Sequence, residues 1–443
     1  MNKKIAIFLS VFALTSGQAQ NNEANDDQTL IVYKIKPGDT LSKFARKYLI
    51  QPLDVAAIKK VNRLHNLDQL TIGEDLNIPR NLVKQSPSKA TVMSLSCATP
   101  IRLSNSAKLL IVGSALYEGA IIEIPPECHT SLLLEDGSIA RLPSGTALKI
   151  STLRKNQLEA APEVRFDLTK GRIELDVHKG REKTTPFEVR TPLSVMGVRG
   201  TEFRVGYSPD EQSGQVEVLG GIVQTRGNRD SAAKPITKGL GVPIDANGKS
   251  LAVENLLDAP LFKSVVTTEG SQPSYVIQLS AVPLAMYYIA NSSSTANLTG
   301  NRMSQHLMAP ELFVSKLTKQ ASFYQLTSVS QTGLVGTERQ YAFCVTPTDP
   351  QMAKCSALFD APLADGTPIS FALTQHTKDS SRHIVDTKNL QARQGRFAIQ
   401  GLPIGQYSWT LSYNLANTDV TANDTTIRQS GSFELIALPI KAP

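Results

Sequence analysis

The pattern of apolar residues changes once along this chain of 443 residues, at about residue 108. From there to the C-terminus, apolar runs are short and are separated by Gly, Pro, Asn and Asp, as at the turn Asp136-Gly137. Short alternating runs with turn residues between them are typical of antiparallel β-structure. None of these runs reaches the roughly 20 apolar residues that a membrane-spanning helix needs. We therefore expect most of the chain to be all-β.

Turn-rich breaks divide this β region further. Residues 108–257 carry many short strands, and the sequence Leu257-Asp258-Ala259-Pro260 marks a boundary. The remaining length suits two β-sandwich modules, at 261–346 and 347–443. Residues 81–107 are rich in Ser, Thr, Pro and Lys, which predicts a linker.

The first residues have the composition of a secretory signal peptide. Lys3 and Lys4 precede a short apolar run, and Gly17-Gln18-Ala19 offers small residues at a cleavage site. We predict a signal peptide at 1–19, and the alternative of an uncleaved anchor requires a longer apolar run. The mature protein is then exported and has no membrane span.

Four cysteines are present, Cys97, Cys128, Cys344 and Cys355. An even number in an exported chain permits two disulfides, and Cys344 with Cys355 is the natural local pair. Buried free thiols are the alternative. No CxxC motif occurs, which argues against a redox site or a cysteine zinc knuckle.

Basic residues exceed acidic ones, with a net charge of +7 for the whole chain. Residues 30–80 alone hold nine Lys and Arg against five Asp and Glu. Such a surface would be attracted to an acidic wall polymer, but ordinary solubilising charge is the favoured explanation. Export and the absence of a basic base-reading helix argue against nucleic-acid binding.

Residues 30–80 form the one helical region. A short strand at 32–35 is followed by the turn Pro37-Gly38-Asp39-Thr40, and apolar residues then recur at helical spacing from Leu41 to Tyr48. Pro52 suits the start of a second helix that ends at Asn62, and 76–79 form a second strand. The predicted order is βααβ, a small α+β module.

This module resembles the LysM family. The matching elements are PGDTL at 37–41, Ala45, Asn62, Gly73 and the closing LNIP at 76–79. The resemblance implies binding of N-acetylglucosamine-containing glycans in a groove between two loops. Its residues in this chain would be Gly38, Asp39, Thr40, Leu41, Asn66, Leu67, Asp68, Leu70, Thr71 and Ile72. The alternative is that these residues only build the fold, and it is favoured for Asp39.

The next region resembles the FecR domain, through LEDGS at 134–138, FEVRTP at 187–192 and VRGTEFRV at 198–205. The resemblance implies a rolled or solenoid-like β scaffold. FecR proteins in iron-transport signalling sense an outer-membrane receptor, but they carry a cytoplasmic head and one membrane span before this domain, which we do not find here. Farther along, 402–409 (LPIGQYSW) weakly resembles immunoglobulin-like or fibronectin-like sandwiches.

Catalytic motifs were sought because LysM modules often accompany wall enzymes. Neither HEXXH, nor GxSxG, nor SxxK occurs, and Cys128 and His129 are neighbours that a strand would point apart. We therefore predict a non-enzymatic, exported peptidoglycan-binding scaffold or adaptor without a cofactor or metal. It would be periplasmic or secreted, associated with the cell wall and in contact with an envelope protein. The alternatives are a FecR-type envelope sensor and, with less support, a wall hydrolase.

Overall fold

The computed structural model describes residues 30–64, 70–104, 108–181, 185–268, 274–298, 303–346, 354–361, 368–377, 379–391, 396–415 and 425–439. The chain divides into two compact units, one up to Lys84 and one from Gln85 onward. The predicted signal peptide lies outside the described residues. Within the described ranges, no helix is long and apolar enough to cross a membrane.

The N-terminal unit has the predicted βααβ order. Its elements are β1 (Leu30–Lys34), α1 (Leu41–Tyr48), α2 (Val55–Val61) and β2 (Asp75–Pro79), with short 3-10 turns at Pro52–Asp54 and Arg80–Leu82. Strand β1 pairs with β2 in an antiparallel register. Helix α1 buries Leu41, Phe44 and Ala45 against this pair.

Side-chain hydrogen bonds cap the beginning of α1 and the end of α2. Thr40 Oγ1 accepts a hydrogen bond from the Lys43 N–H, which satisfies a free donor in the first turn of α1. Asn62 ends α2, and its side chain bonds both to Ile58 O (2.8 Å) and to the backbone of Asn77. The side-chain amide of Asn62 therefore joins the end of α2 to β2.

The N-terminal unit continues beyond residue 80. Val83 is buried, the Ile50 N–H donates to Leu82 O (2.9 Å), and the Lys84 N–H donates to Tyr48 O (2.8 Å). Residues 81–84 therefore belong to the unit and not to a linker.

The described residues of the remaining predicted linker, 85–104, are also structured, so the prediction of a linker at 81–107 was wrong. Strand β3 spans Gln85–Pro87 and β4 spans Ala90–Ser96, and β4 pairs with a central strand of the next region. Ala90 and Val92 are fully buried. The Ser- and Thr-rich composition hid an alternation of buried and less buried residues that is typical of a strand.

The FecR-like region is built from short strands rolled around one core. After β3 and β4 these are β5 (Ile101–Arg102), β6 (Leu109–Leu110), β7 (Ala115–Leu116), β8 (Ile121–Glu123), β9 (His129–Leu134), β10 (Ile139–Leu142), β11 (Ala147–Asn156), β12 (Glu163–Asp176), β13 (Phe187–Arg190), β14 (Ser194–Val198), β15 (Glu202–Ser208), β16 (Ser213–Gly220), β17 (Ile222–Gly227), β18 (Lys234–Thr237), β19 (Leu240–Ile244) and β20 (Glu254–Asn255).

The long strand β12 belongs to both halves of this rolled sheet. Its first half pairs with β11 and, in parallel, with β13, whereas its second half pairs with β10 and β15. The core between the two halves includes Phe166, Phe187 and Phe203. The prediction of a small α+β module followed by all-β structure is confirmed.

The strands of the last part are β21 (Phe262–Thr268), β22 (Ser274–Leu279), β23 (Ala285–Ser293), β24 (Met303–Leu307), β25 (Glu311–Ser315), β26 (Ser322–Ser330), β27 (Arg339–Thr346), β28 (Lys354–Asp360), β29 (Pro368–His376), β30 (Ser381–Gln391), β31 (Arg396–Pro403), β32 (Gly405–Leu415) and β33 (Thr425–Pro439).

These strands do not form two separate modules at 261–346 and 347–443. One eight-stranded sheet, in the order β24-β23-β26-β27-β33-β32-β29-β30, runs through both. The link is the parallel pairing of β33 with β27, in which Tyr341 lies beside Glu434. The sheet β21-β22-β25 and the pair β28-β31 supply residues to two separate apolar cores, so each half still resembles a sandwich.

Both disulfides connect neighbouring segments of the C-terminal unit. Cys344 is joined to Cys355, and Cys97 to Cys128. The first ties β27 to β28, and the second ties the segment after β4 to the residue before β9.

Candidate functional site

Two loops leave the same end of the β1–β2 pair in the N-terminal unit. Lys34 and Asp75 form the last pair of this ladder. Beyond it, the Ile35 N–H donates to Glu74 O (3.0 Å) and the Gly73 N–H donates to Ile35 O (2.9 Å). The first loop, residues 35–40, and the second loop, residues 70–74, are therefore held side by side.

A carboxylate organises the first loop. Asp39 Oδ2 accepts hydrogen bonds from the Tyr33 hydroxyl and the Lys36 N–H, both at 2.8 Å. Gly38 has a φ of +82°, which lets the chain turn tightly into α1. Because Asp39 is occupied by these bonds and Thr40 by the cap of α1, both residues hold the shape of the loop.

Burial and these hydrogen bonds shift the pKa values of Tyr33 and Asp39. The pKa of Tyr33 is raised to about 12, chiefly by burial and by its bond to Asp39. The Lys36 N–H lowers the pKa of Asp39, and the Tyr33 hydroxyl adds to this effect. At neutral pH the loop therefore carries a fixed carboxylate and a neutral phenol.

The predicted groove residues differ in their exposure. Leu41 is fully buried, so its predicted place among the groove residues was wrong, because α1 turns it into the core. Ile72 has an exposed fraction of 62%, and Gly38 and Thr71 are also exposed. Asn66, Leu67 and Asp68 lie outside the described residues. Leu70 is half-buried.

A cavity of about 230 Å³ lies beside the second loop. It is lined by the end of α2, including Asn62, and by Leu70, Thr71 and Asn77. Sequence reasoning missed the contribution of α2, since Asn62 was interpreted only as a helix end. The cavity offers a concave surface at Thr71, and the exposed side chain of Ile72 follows Thr71 along the second loop.

Such a surface suits an acetamido sugar. An amide needs backbone N–H and C=O partners, and its methyl group needs an apolar contact. Across the described ranges, no group of three or more His, Cys, Asp or Glu side chains is arranged to hold a metal ion. The described residues of this site can supply hydrogen bonds and a shallow apolar contact.

Comparison with protein families decides the identity of both regions. Residues 33–79 match the LysM domain, and residues 120–224 match the FecR protein family. The chain carries a LysM domain followed by a FecR-type domain. The resemblances drawn from the sequence are confirmed, and neither LysM nor FecR is a catalytic family.

Solved structures resemble parts of this chain. A candidate anti-sigma factor from Parabacteroides distasonis ATCC 8503 is 21% identical, with a TM-score of 0.26, and the match covers 30% of this chain and 59% of that one. Two fibronectin type-III domains of chicken tenascin are 9% identical, with a TM-score of 0.16, over 40% of this chain and 99% of theirs. The chain thus spans about three-fifths of the anti-sigma-factor structure. No curated protein matches it.

Proposed function

We propose that this protein is an exported, non-enzymatic scaffold or adaptor of the bacterial cell envelope that is held to peptidoglycan by its LysM domain. The FecR-type domain and the eight-stranded sheet then present a surface to another envelope protein. The protein works in the periplasm or after secretion, in association with the cell wall.

The observation that carries this proposal is the match of residues 33–79 to LysM, together with the pair of loops that the β1–β2 ladder holds side by side. The exposed Ile72 and the cavity beside Thr71 provide the apolar contact and the concave surface that an acetylated amino sugar needs. The surplus of basic residues at 30–80 adds attraction to an acidic wall.

Binding to purified sacculi tests the proposal. The mature chain is compared with a variant that lacks residues 30–84, since Val83 and Lys84 belong to the N-terminal unit and β3 begins at Gln85. We expect the mature chain to sediment with sacculi and the shortened chain to remain in solution. Equal sedimentation of both chains would refute attachment through LysM.

A point variant locates the contact. Ile72→Ser should weaken sedimentation without changing the unfolding temperature, because the side chain is largely exposed. Ile50→Ser is the matched control, since Ile50 is an isoleucine of the same unit with an exposed fraction of 58% but follows the C-terminal end of α1, whose other end adjoins the first loop. An equal effect of both variants would argue for a nonspecific apolar contact.

A second candidate function is a FecR-type envelope sensor that contacts an outer-membrane receptor, and the family match at 120–224 favours it. Copurification from crosslinked cells distinguishes the scaffold from the sensor. A receptor as the main partner would support the sensor, and retention on sacculi without a receptor would support the scaffold. A clearing zone on a peptidoglycan gel would contradict the non-enzymatic proposal.

A further inference from the structure

The C-terminal end of α2 has a backbone conformation that its sequence does not favour. The Leu64 N–H donates to Lys59 O (3.0 Å), and the Arg63 N–H donates to Lys60 O (3.3 Å). These two bonds form a Schellman motif, in which the residue after the helix cap is left-handed and is most often glycine. Here that residue is Arg63, with a φ of +53°. An arginine therefore adds backbone strain that a glycine would avoid.

Contacts within the protein do not offset this strain. Arg63 is exposed, and across the described ranges its guanidinium takes part in no hydrogen bond and no ion pair. The side chain carries five N–H donors in a planar fork, and all of them face solvent or a ligand. The folded chain itself thus gives no reason for an arginine at this position, and a ligand would give one.

Arg63 lines the cavity of about 230 Å³ beside the second loop. Thr71 and Asn77 line it as well, and among the described residues neither side chain has a hydrogen-bond partner. Asn62 differs from them, because its side-chain amide is occupied by Ile58 O and by the backbone of Asn77. The cavity therefore combines a cation with a neutral hydroxyl and a neutral amide.

The carboxylates at the cavity leave the charge of Arg63 unpaired. Asp75 Oδ1 is 3.1 Å from Lys34 Nζ and is paired with that cation. Glu74 is exposed and, within the part of the chain that the structure describes, forms no ion pair with Arg63. The guanidinium is consequently available to an anionic group of a ligand that occupies the cavity.

A carboxylate is the anion that suits this arginine in a wall polymer. The planar fork of a guanidinium matches the two oxygens of a carboxylate, so that two parallel hydrogen bonds form. A polymer of N-acetylglucosamine alone is neutral. The glycan of peptidoglycan alternates N-acetylglucosamine with N-acetylmuramic acid, whose lactyl group either ends in a carboxylate or carries a peptide with carboxylates of its own.

We propose that Arg63 binds a carboxylate of peptidoglycan next to the acetylated sugar at the LysM loops. The site then selects an anionic muramic acid glycan over a neutral chitin-like one. Two sources share this chemistry, the lactyl group of a glycan without peptides and the glutamate of a stem peptide. The inference rests on the proposed function, since it assigns the substrate class of the same site.

Calorimetric titration of the mature full-length chain tests the proposal with two matched pairs of probes. The first pair is a tetrasaccharide of alternating N-acetylglucosamine and N-acetylmuramic acid with lactyl carboxylates, and the same molecule with lactyl carboxamides. The second pair carries L-Ala-D-Glu stems, with the glutamate carboxyl groups either free or amidated. We expect the acid to bind at least about fivefold more tightly than the amide in one pair, which identifies the source.

The neutral tetramer of N-acetylglucosamine separates the two possible failures. Equal affinity for acid and amide in both pairs, with binding of the neutral tetramer, would overturn the role of Arg63 and leave the LysM attachment in place. A lack of binding by every probe would overturn the attachment and the inference together.

Variants assign the preference to one side chain. Arg63→Gly fits the left-handed backbone, so it should abolish the preference for the acid, keep the affinity for the amide within about twofold and leave the unfolding temperature at least as high. Arg63→Gln should also abolish the preference. Arg46→Gln is its matched control, because Arg46 is an exposed arginine of α1 that does not line the cavity, and it should retain the preference.

Two results would overturn the proposal. Retention of the full preference by Arg63→Gly and Arg63→Gln would place the carboxylate elsewhere. An equal loss of affinity for the acid and the amide in both variants would show that Arg63 only supports the fold of the site.

Discussion

Substitution of Arg204 should destabilise the contact between the FecR-type domain and the eight-stranded sheet. This guanidinium is fully buried. It donates hydrogen bonds to Val335 O (3.2 Å) and Gly336 O (3.0 Å) and forms an ion pair with Glu338. Arg204→Ala leaves the two carbonyl groups without this donor and removes the charged partner of the Glu338 carboxylate, to which Gln325 Nε2 still donates. Hydrogen bonds to charged groups contribute about 1.5–3 kcal/mol each, and removal of one partner of a buried ion pair costs about 3–5 kcal/mol.

We therefore expect Arg204→Ala to lower the free energy of unfolding by about 3–5 kcal/mol. Urea unfolding followed by tryptophan fluorescence is the appropriate assay, since Trp409 is the single tryptophan and lies in the core of the eight-stranded sheet. Circular dichroism follows all strands together. A coincident shift of both signals would mean that the domain and the sheet unfold as one unit.

Two further variants test the reasoning. Arg154→Ala is the control, because its ion pair with Glu118 is partly exposed and such pairs contribute only about 0–1 kcal/mol. Arg204→Met combined with Glu338→Gln should recover part of the loss, since it removes the unpaired charge and keeps the volume. A loss for Arg204→Ala no larger than that of Arg154→Ala would refute a stabilising role for the buried ion pair.

Three other predictions follow from local contacts. Asn62→Ala should destabilise the 30–84 fragment by about 3 kcal/mol in thermal unfolding, because three side-chain hydrogen bonds are lost, and a loss under about 1 kcal/mol would contradict this account. The pKa of Asp39 is lowered in the folded state, so the carboxylate stabilises that fragment above pH 3.8 and the contribution is lost as the pH falls further. Asp39→Asn should weaken the dependence of the stability of this fragment on acid pH. Identical profiles of stability against pH for the two fragments would contradict this role of the Asp39 carboxylate. Replacement of both Cys344 and Cys355 by Ser should lower the free energy of unfolding, measured by tryptophan fluorescence, by about 2–4 kcal/mol, and an unchanged urea midpoint would count against a structural disulfide.

Local sequence patterns were sufficient for the elements of the N-terminal unit. The turn at Gly38, the cap at Thr40 and the end of α2 at Asn62 all depend on residues within a few positions of one another. The same patterns failed at Leu41, because a position in the first turn of a helix does not reveal whether the side chain faces the groove or the core. The burial of that residue follows from how α1 packs on the strands.

The extent of each domain was harder to predict, because composition is an average over a segment. The segment 81–107 is polar on average, yet Ala90 and Val92 alternate into a core whose other residues lie far along the chain. The pairing of β33 with β27 is equally remote, since their first residues, Arg339 and Thr425, are 86 positions apart. No local pattern specifies which distant edge a strand will join.

The sequence by itself determined the βααβ order, the all-β character of the rest and the two families, because helix caps, turns and periodicity act over a few residues. Tertiary structure alone decided that one sheet joins both sandwich halves, that Arg204 meets a carboxylate 134 residues away, and that Trp409 and Glu202 line one cleft. These features depend on which strands become neighbours. That choice is made by the burial of apolar surface over the whole unit and not by any single segment.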